Sequence, residues 1–137
     1  MAHETTVKVR FSETDALGHI SNISYFIYLE EARTDFFSEL GFGTGIEDWK
    51  LILISAKCDF LKQGFFNQRL KIHSDITRIG NSSFMIGHRI TDEQTGELIA
   101  KGEAGAVYFD FDKQKSERIP DNLRKKLEEH VAKEARS

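Results

Sequence analysis

RFSETDALGHISNISYFIYLEEARTDFFSEL, residues 10–40, is the stretch from which the fold is read. It opens as the end of a β-strand over Thr5 to Phe11, with Val7, Val9 and Phe11 on one face opposite Lys8 and Arg10. A short acidic loop follows, Ser12-Glu13-Thr14-Asp15, then Ala16-Leu17-Gly18-His19-Ile20-Ser21. From Asn22 the spacing predicts a helix that runs to Leu40. Phe26, Leu29, Ala32, Phe36, Phe37 and Leu40 recur at three and four, and Ile23, Tyr25 and Ile27 widen the stripe. About nineteen residues at ~1.5 Å each make a rod of roughly 28 Å, enough to cross a small sheet. Gly41 is placed to end it in the left-handed conformation.

This order sets a carboxylate, Asp15, in a loop just ahead of a helix start at Asn22. The free N–H groups and positive dipole end of such a helix receive developing negative charge, which points to hydrolysis of an activated carbonyl. A solvated turn with a capping Asn accounts for the same residues.

The remaining sequence supplies a sheet. Ile52, Ile54, Ala56, Cys58 and Phe60 share a face by alternation, as do Leu70, Ile72, Ser74 and Ile76, and then Phe84, Ile86, His88 and Ile90. Turn formers at Lys62 to Gln68, Gly80-Asn81 and Asp92 to Gly96 separate these runs, so the strands are expected to be consecutive and antiparallel, with a tight hairpin at Gly80-Asn81. Glu97 to Phe111 is a single long run with Leu98, Ala100, Gly102, Ala104, Ala106 and Tyr108 on one face. Straight, it would reach about 50 Å, so it must bend. Its small residues let it curve and let a helix come close. The combined reading is α+β: one long helix wrapped by a curved antiparallel sheet of about five strands. Pro120 opens a last short helix with the stripe Leu123, Leu127 and Val131, residues 120–137 being a docked helix or a tail.

Composition narrows the function. At 137 residues, one domain over 1–137 is expected. A net charge of −3 with scattered basic residues gives no reason to expect nucleic acid. No apolar run approaches a membrane span, and Cys58 is the only cysteine, so a cytoplasmic chain without membrane contact or disulfide is expected. There is no G-x-S-x-G elbow, and His3, His19, His73, His88 and His130 are dispersed, against a serine hydrolase. No His or Cys pair has metal-ligand spacing, and neither metal nor cofactor is expected. Gly41-Phe42-Gly43-Thr44-Gly45 follows a helix with the wrong spacing for a dinucleotide loop, and reads as a connection.

A thioester suits so sparse a set of groups. Its thiolate, with a pKa near 8.5, leaves at neutral pH without a strong acid. Asp15 would attack the carbonyl or deprotonate water, and the backbone N–H of Asn22 would hold the oxyanion. Glu30 is the rival carboxylate, but Arg33 three residues on makes a surface ion pair its plain reading. His19 would orient Asp15 or contact the substrate.

The run from Arg10 to Tyr25, continuing through Glu30-Glu31-Ala32-Arg33, resembles the signature of acyl-CoA thioesterases of the 4-hydroxybenzoyl-CoA thioesterase family. Gly80 to Phe84, the Gly96 turn, Ala100 to Val107 and Ile119-Pro120 extend it over most of the chain. The resemblance implies the hot dog fold, Asp15 as the family's catalytic carboxylate, and Asn22 as the helix-start position whose N–H polarises the carbonyl. Its most specific part lies at Asp15, Gly18, Asn22 and Tyr25, and Gly18, His19, Tyr25 and Arg78 are the residues expected to contact the substrate. It also implies homodimers, or homotetramers, with the site between subunits. Some relatives grip the CoA phosphates with paired basic residues before the fourth strand. Here Gly80-Asn81 stands there and Arg78 is the nearest cation, so an acyl carrier protein is an alternative donor. A hot dog hydratase would want D-x-N-P-x-H, which this chain lacks after Asp15. A non-catalytic acyl-thioester-binding dimer is the other alternative.

Overall fold

The computed structural model describes residues 3–41 and 50–131. Strand β1 (His3–Lys8) leads through a 3-10 turn (Phe11–Glu13) and the Asp15 loop into helix α1 (Asn22–Glu39). Strands β2 (Leu51–Phe60), β3 (Arg69–Ile79), β4 (Ser83–Asp92) and β5 (Leu98–Asp110) follow, then the two-residue β6 (Lys115–Ser116) and helix α2 (Asp121–Glu129). The sheet is antiparallel in the order β1-β3-β4-β5-β2, with β6 on β5. No described helix is long and apolar enough to cross a membrane.

The helix forms where the 3.6-residue period predicts. Leu29, Ala32, Phe36 and Phe37 are buried against the sheet, and Gly41 ends the helix at φ +99°. The small residues of β5 let α1 settle close: a methyl group on Gly102 would lie 2.6 Å from Leu29 Cδ1. The facing rows of β3 and β4, Leu70, Ile72, Ser74 and Ile76 with Phe84, Ile86, His88 and Ile90, are buried as the alternation requires.

Two apolar clusters fill the space under α1. One gathers Val7, Val9, Tyr25, Tyr28, Leu29, Leu70, Ile72 and Ile90, the other Phe36, Phe37, Phe84, Ile86, Leu123 and Leu127. Between them runs a polar row in which Ser74 Oγ and His88 Nδ1 share a 2.8 Å hydrogen bond, with buried Arg33 nearby. Helix α2 docks through Leu123 and Leu127, and Arg124 donates to the carbonyls of Gly80 (3.0 Å) and Asn81 (3.1 Å).

Five expectations are corrected. Strand β1 ends at Lys8, so Phe11 falls in the 3-10 turn and is exposed. Ile23 and Ile27 are exposed instead of widening the buried stripe. A register shift between Leu53 and Ser55 splits the phase of β2: Ala56, Cys58 and Phe60 oppose Ala104, Gly102 and Ala100 as expected, but ahead of the bulge Leu51 and Leu53 oppose Tyr108 and Ala106 on that face, where Ile52 and Ile54 were expected. Nor does β2 neighbour β3, because it pairs with β5 at the far edge. The β3–β4 turn is tight as expected but lies one residue further on, since the Gly80 N–H donates to the Ser83 carbonyl at 2.7 Å across Asn81 and Ser82. The Gly43 and Gly45 positions lie outside the described residues.

Candidate active site

Asp15 lies in a closed loop whose ends are stitched together before α1. Thr14 bridges to Ile20, and the Asp15 N–H donates to the His19 carbonyl at 2.8 Å. The carboxylate is exposed, and its Oδ1 accepts the N–H groups of Leu17 (2.8 Å) and His19 (3.2 Å). Gly18 closes the turn at φ +80°, a left-handed conformation that an L side chain adopts only at a cost. His19 therefore touches Asp15 through its backbone, while its ring meets Phe65 edge-on at 5.1 Å.

The loop is seated on the segment between β2 and β3. Phe66 donates to the Gly18 carbonyl at 3.2 Å, and Ile20 donates to that of Gly64 at 2.8 Å. Gly64 has no room for a side chain, because a Cβ there would collide with Ile20 and stand 3.1 Å from the Tyr25 hydroxyl.

Helix α1 begins beside this loop. Its N-cap is Ser21 and not Asn22, and the Ser21 side chain makes no capping hydrogen bond; its Oγ pairs with Ser24 Oγ at 2.9 Å. The first N–H groups of the helix, that of Asn22 among them, are thus not covered by a side-chain cap. Ile20, Asn22, Tyr25, Phe60 and Lys62 line a pocket of about 200 Å³ at this helix end. Tyr25 is nearly enclosed, 5.1 Å from the Phe60 ring, and burial raises its hydroxyl pKa despite a hydrogen bond with the Gly64 backbone.

Asp15, Gly18, His19, Asn22 and Tyr25 therefore come together. Arg78 does not join them. It lies nine residues along β3 from Arg69, roughly 30 Å away in a straight strand, whereas the loop packs near the Arg69 end. Glu30 is exposed, but its expected surface partner Arg33 is buried; burial lowers the Arg33 pKa, and the two do not close to ion-pair distance.

One residue that the sequence reading passed over is Glu13. It is 7% exposed, and its carboxylate accepts from the Arg10 N–H (2.8 Å), the Arg10 guanidinium (2.8 and 3.1 Å) and the Tyr28 hydroxyl (2.9 Å). Burial opposes ionisation, but these donors outweigh it and hold the Glu13 carboxyl below its ordinary range. Arg10 three residues before Glu13 was the available signal, and it reads equally as a surface pair.

A long helix wrapped by a curved antiparallel sheet, with an acidic loop at the helix start, defines a hot dog protein. The chain belongs to the Thioesterase-like superfamily, whose family model matches residues 9–127. It is 35% identical over 91 residues to YsmA of Bacillus subtilis, a match that covers 66% of this chain and spans only 61% of that protein. It is 26% identical over 139 residues to the long-chain acyl-CoA thioesterase FadM of Escherichia coli, covering 93% of this chain and 98% of that one. Among solved structures, a predicted thioesterase from Bacillus stearothermophilus superposes with a TM-score of 0.89 at 33% identity, covering 96% of this chain and 98% of that one.

Proposed function

We propose that this protein is an acyl-CoA thioesterase of the 4-hydroxybenzoyl-CoA thioesterase type, releasing a carboxylic acid and free CoA. The observation that carries the reading is the Asp15 carboxylate, exposed and steadied by two loop N–H groups beside an α1 start with no side-chain cap. In this reaction the substrate carbonyl oxygen accepts the Asn22 N–H, which strengthens as the oxyanion forms. Asp15 either attacks the carbonyl carbon, giving an acyl-enzyme anhydride that water then cleaves, or takes a proton from the attacking water. In both routes the C–S bond breaks with its electron pair on sulfur, and the thiolate departs. Gly18, His19 and Tyr25 border the acyl group. CoA is the preferred thioester donor and an acyl carrier protein the second, and the same reading sets the enzyme in the cytoplasm.

We also place the working site between two copies of the chain. The edge strand β2 is open along Leu53 to Lys57, and Leu53, Ile54 and Phe60, with Ile23 and Ile27 of α1, expose apolar surface that a second copy would cover. A homodimer, or a homotetramer of such pairs, follows. Arg78 would then reach a nucleotide only on a neighbouring subunit's site.

The double acceptance at Asp15 Oδ1 also favours a second reading, in which Asp15 merely staples its loop and the dimer binds acyl thioesters without turnover. Thiol release from short, medium, long and aromatic acyl-CoAs separates the two. The thioesterase reading expects turnover in the wild type and its loss in Asp15→Asn, whose amide oxygen still accepts both loop N–H groups.

A further inference from the structure

The bonds of Glu13 do more than bury a charge. Its backbone carbonyl accepts the N–H of Ser21, the N-cap of α1, at 3.0 Å and the hydroxyl of Ser24, in the first turn, at 2.9 Å. Glu13 and Ser21 are thus the two ends of the loop that carries Asp15. Its side chain meanwhile fastens this junction to Tyr28, one turn further along α1, and to Arg10, two residues past the end of β1. Tyr28 is 2% exposed, so its hydroxyl has no route to swing into water. The segment past β1, the loop ends and the helix start therefore meet at one residue, two positions before Asp15.

We propose that Glu13 is a positioning residue, a clamp that fixes the Asp15 carboxylate relative to the first N–H groups of α1 through Tyr28, Arg10 and the Ser21 N–H. This rests on the thioesterase reading for its catalytic consequence, although the clamp itself is a matter of structure. Glu13 does not touch the substrate. It acts by holding two groups in register that must meet the same carbonyl, and misplacement of such groups by about 1 Å costs as much as a hundredfold in rate.

The test is Glu13→Gln, read by steady-state kinetics and by amide hydrogen exchange. Glutamine keeps an oxygen for the Tyr28 hydroxyl and the Arg10 N–H but offers the guanidinium an NH2 group in place of its acceptor. The clamp expects kcat to fall about tenfold or more with KM held within about twofold, because alignment and not binding is lost. It also expects exchange at Leu17, His19 and Ser21 to quicken by about tenfold while β3 and β4 keep their protection. Wild-type kcat in the variant, or faster exchange spread evenly over the sheet, overturns the clamp. If Glu13→Gln fails to fold, Tyr28→Phe decides: a lowered kcat with local loss of protection at Ser21 supports the clamp, and wild-type values overturn it. A wild type that releases no thiol defeats the thioesterase reading alone, since the exchange pattern still judges the clamp.

Discussion

Replacing Gly102 by alanine places a methyl carbon 2.6 Å from Leu29 Cδ1 and 3.1 Å from its Cδ2. Carbon atoms in favourable contact stand about 3.5 to 4.0 Å apart, so Leu29 or the strand must give by roughly 1 Å. Leu29 is 2% exposed and has no open space to enter. Overpacking of this kind costs about 1 to 3 kcal/mol, and the stiffer unfolded chain of alanine returns about 0.4 to 1. The net expectation is a loss of about 1.5 kcal/mol. For 137 residues at ~2.1 cal/mol/K each, that lowers Tm by about 5 °C. Urea unfolding at one fixed protein concentration measures it, since subunit association would shift the midpoint. In a Leu29→Ala background the same methyl enters vacated space, so the double variant should be more stable than the sum of the two losses by about 1 kcal/mol. An unchanged Gly102→Ala together with simple additivity would refute the close seating of α1 on β5.

Leu127→Ala, at a fully buried position of α2, should cost about 3 kcal/mol and about 10 °C in Tm; a loss below about 1 kcal/mol would mean that α2 is not docked. His88 is pulled down to about 3 by burial and then by the charge of Arg33, from 6.5 when unfolded. Its stabilising neutrality is complete above about pH 6.5 and is lost as pH falls toward 3, by up to about 1.4 kcal/mol per pH unit relative to His88→Gln, as urea unfolding across pH would show. Glu30→Gln should leave thioester turnover within about threefold, and a larger loss would move the chemistry onto the helix.

The helix was legible because its apolar stripe and terminal glycine act locally, and β3, β4 and β5 because both neighbours of each are strands that enforce alternation. Legibility failed where a distant partner decides. Phe11 continues the alternation of Val7 and Val9, but the Glu13 carboxylate captures the Arg10 N–H and turns the chain first. The bulge in β2 answers to β5, some fifty residues later, and no local pattern at Ile54 announces it. Arg33 has the spacing of a surface ion pair with Glu30, yet the polar row of Ser74 and His88 lies beneath the helix there. At the candidate site, the motif gathered Asp15, Gly18, His19 and Asn22 because all lie within one loop and its helix start. It could not expose Glu13 as the hub, because Tyr28 reaches that carboxylate only once the helix is folded against the turn.

Asp15 is the residue on which thioester hydrolysis depends in the proposed reaction. The direct measurement is release of free thiol from a panel of acyl-CoAs by wild type and Asp15→Asn, with folding checked by circular dichroism. Turnover in the wild type that falls by about a hundredfold or more in the variant, with the fold kept, is the predicted result. Equal turnover in the two proteins would contradict it and take the chemistry away from the loop.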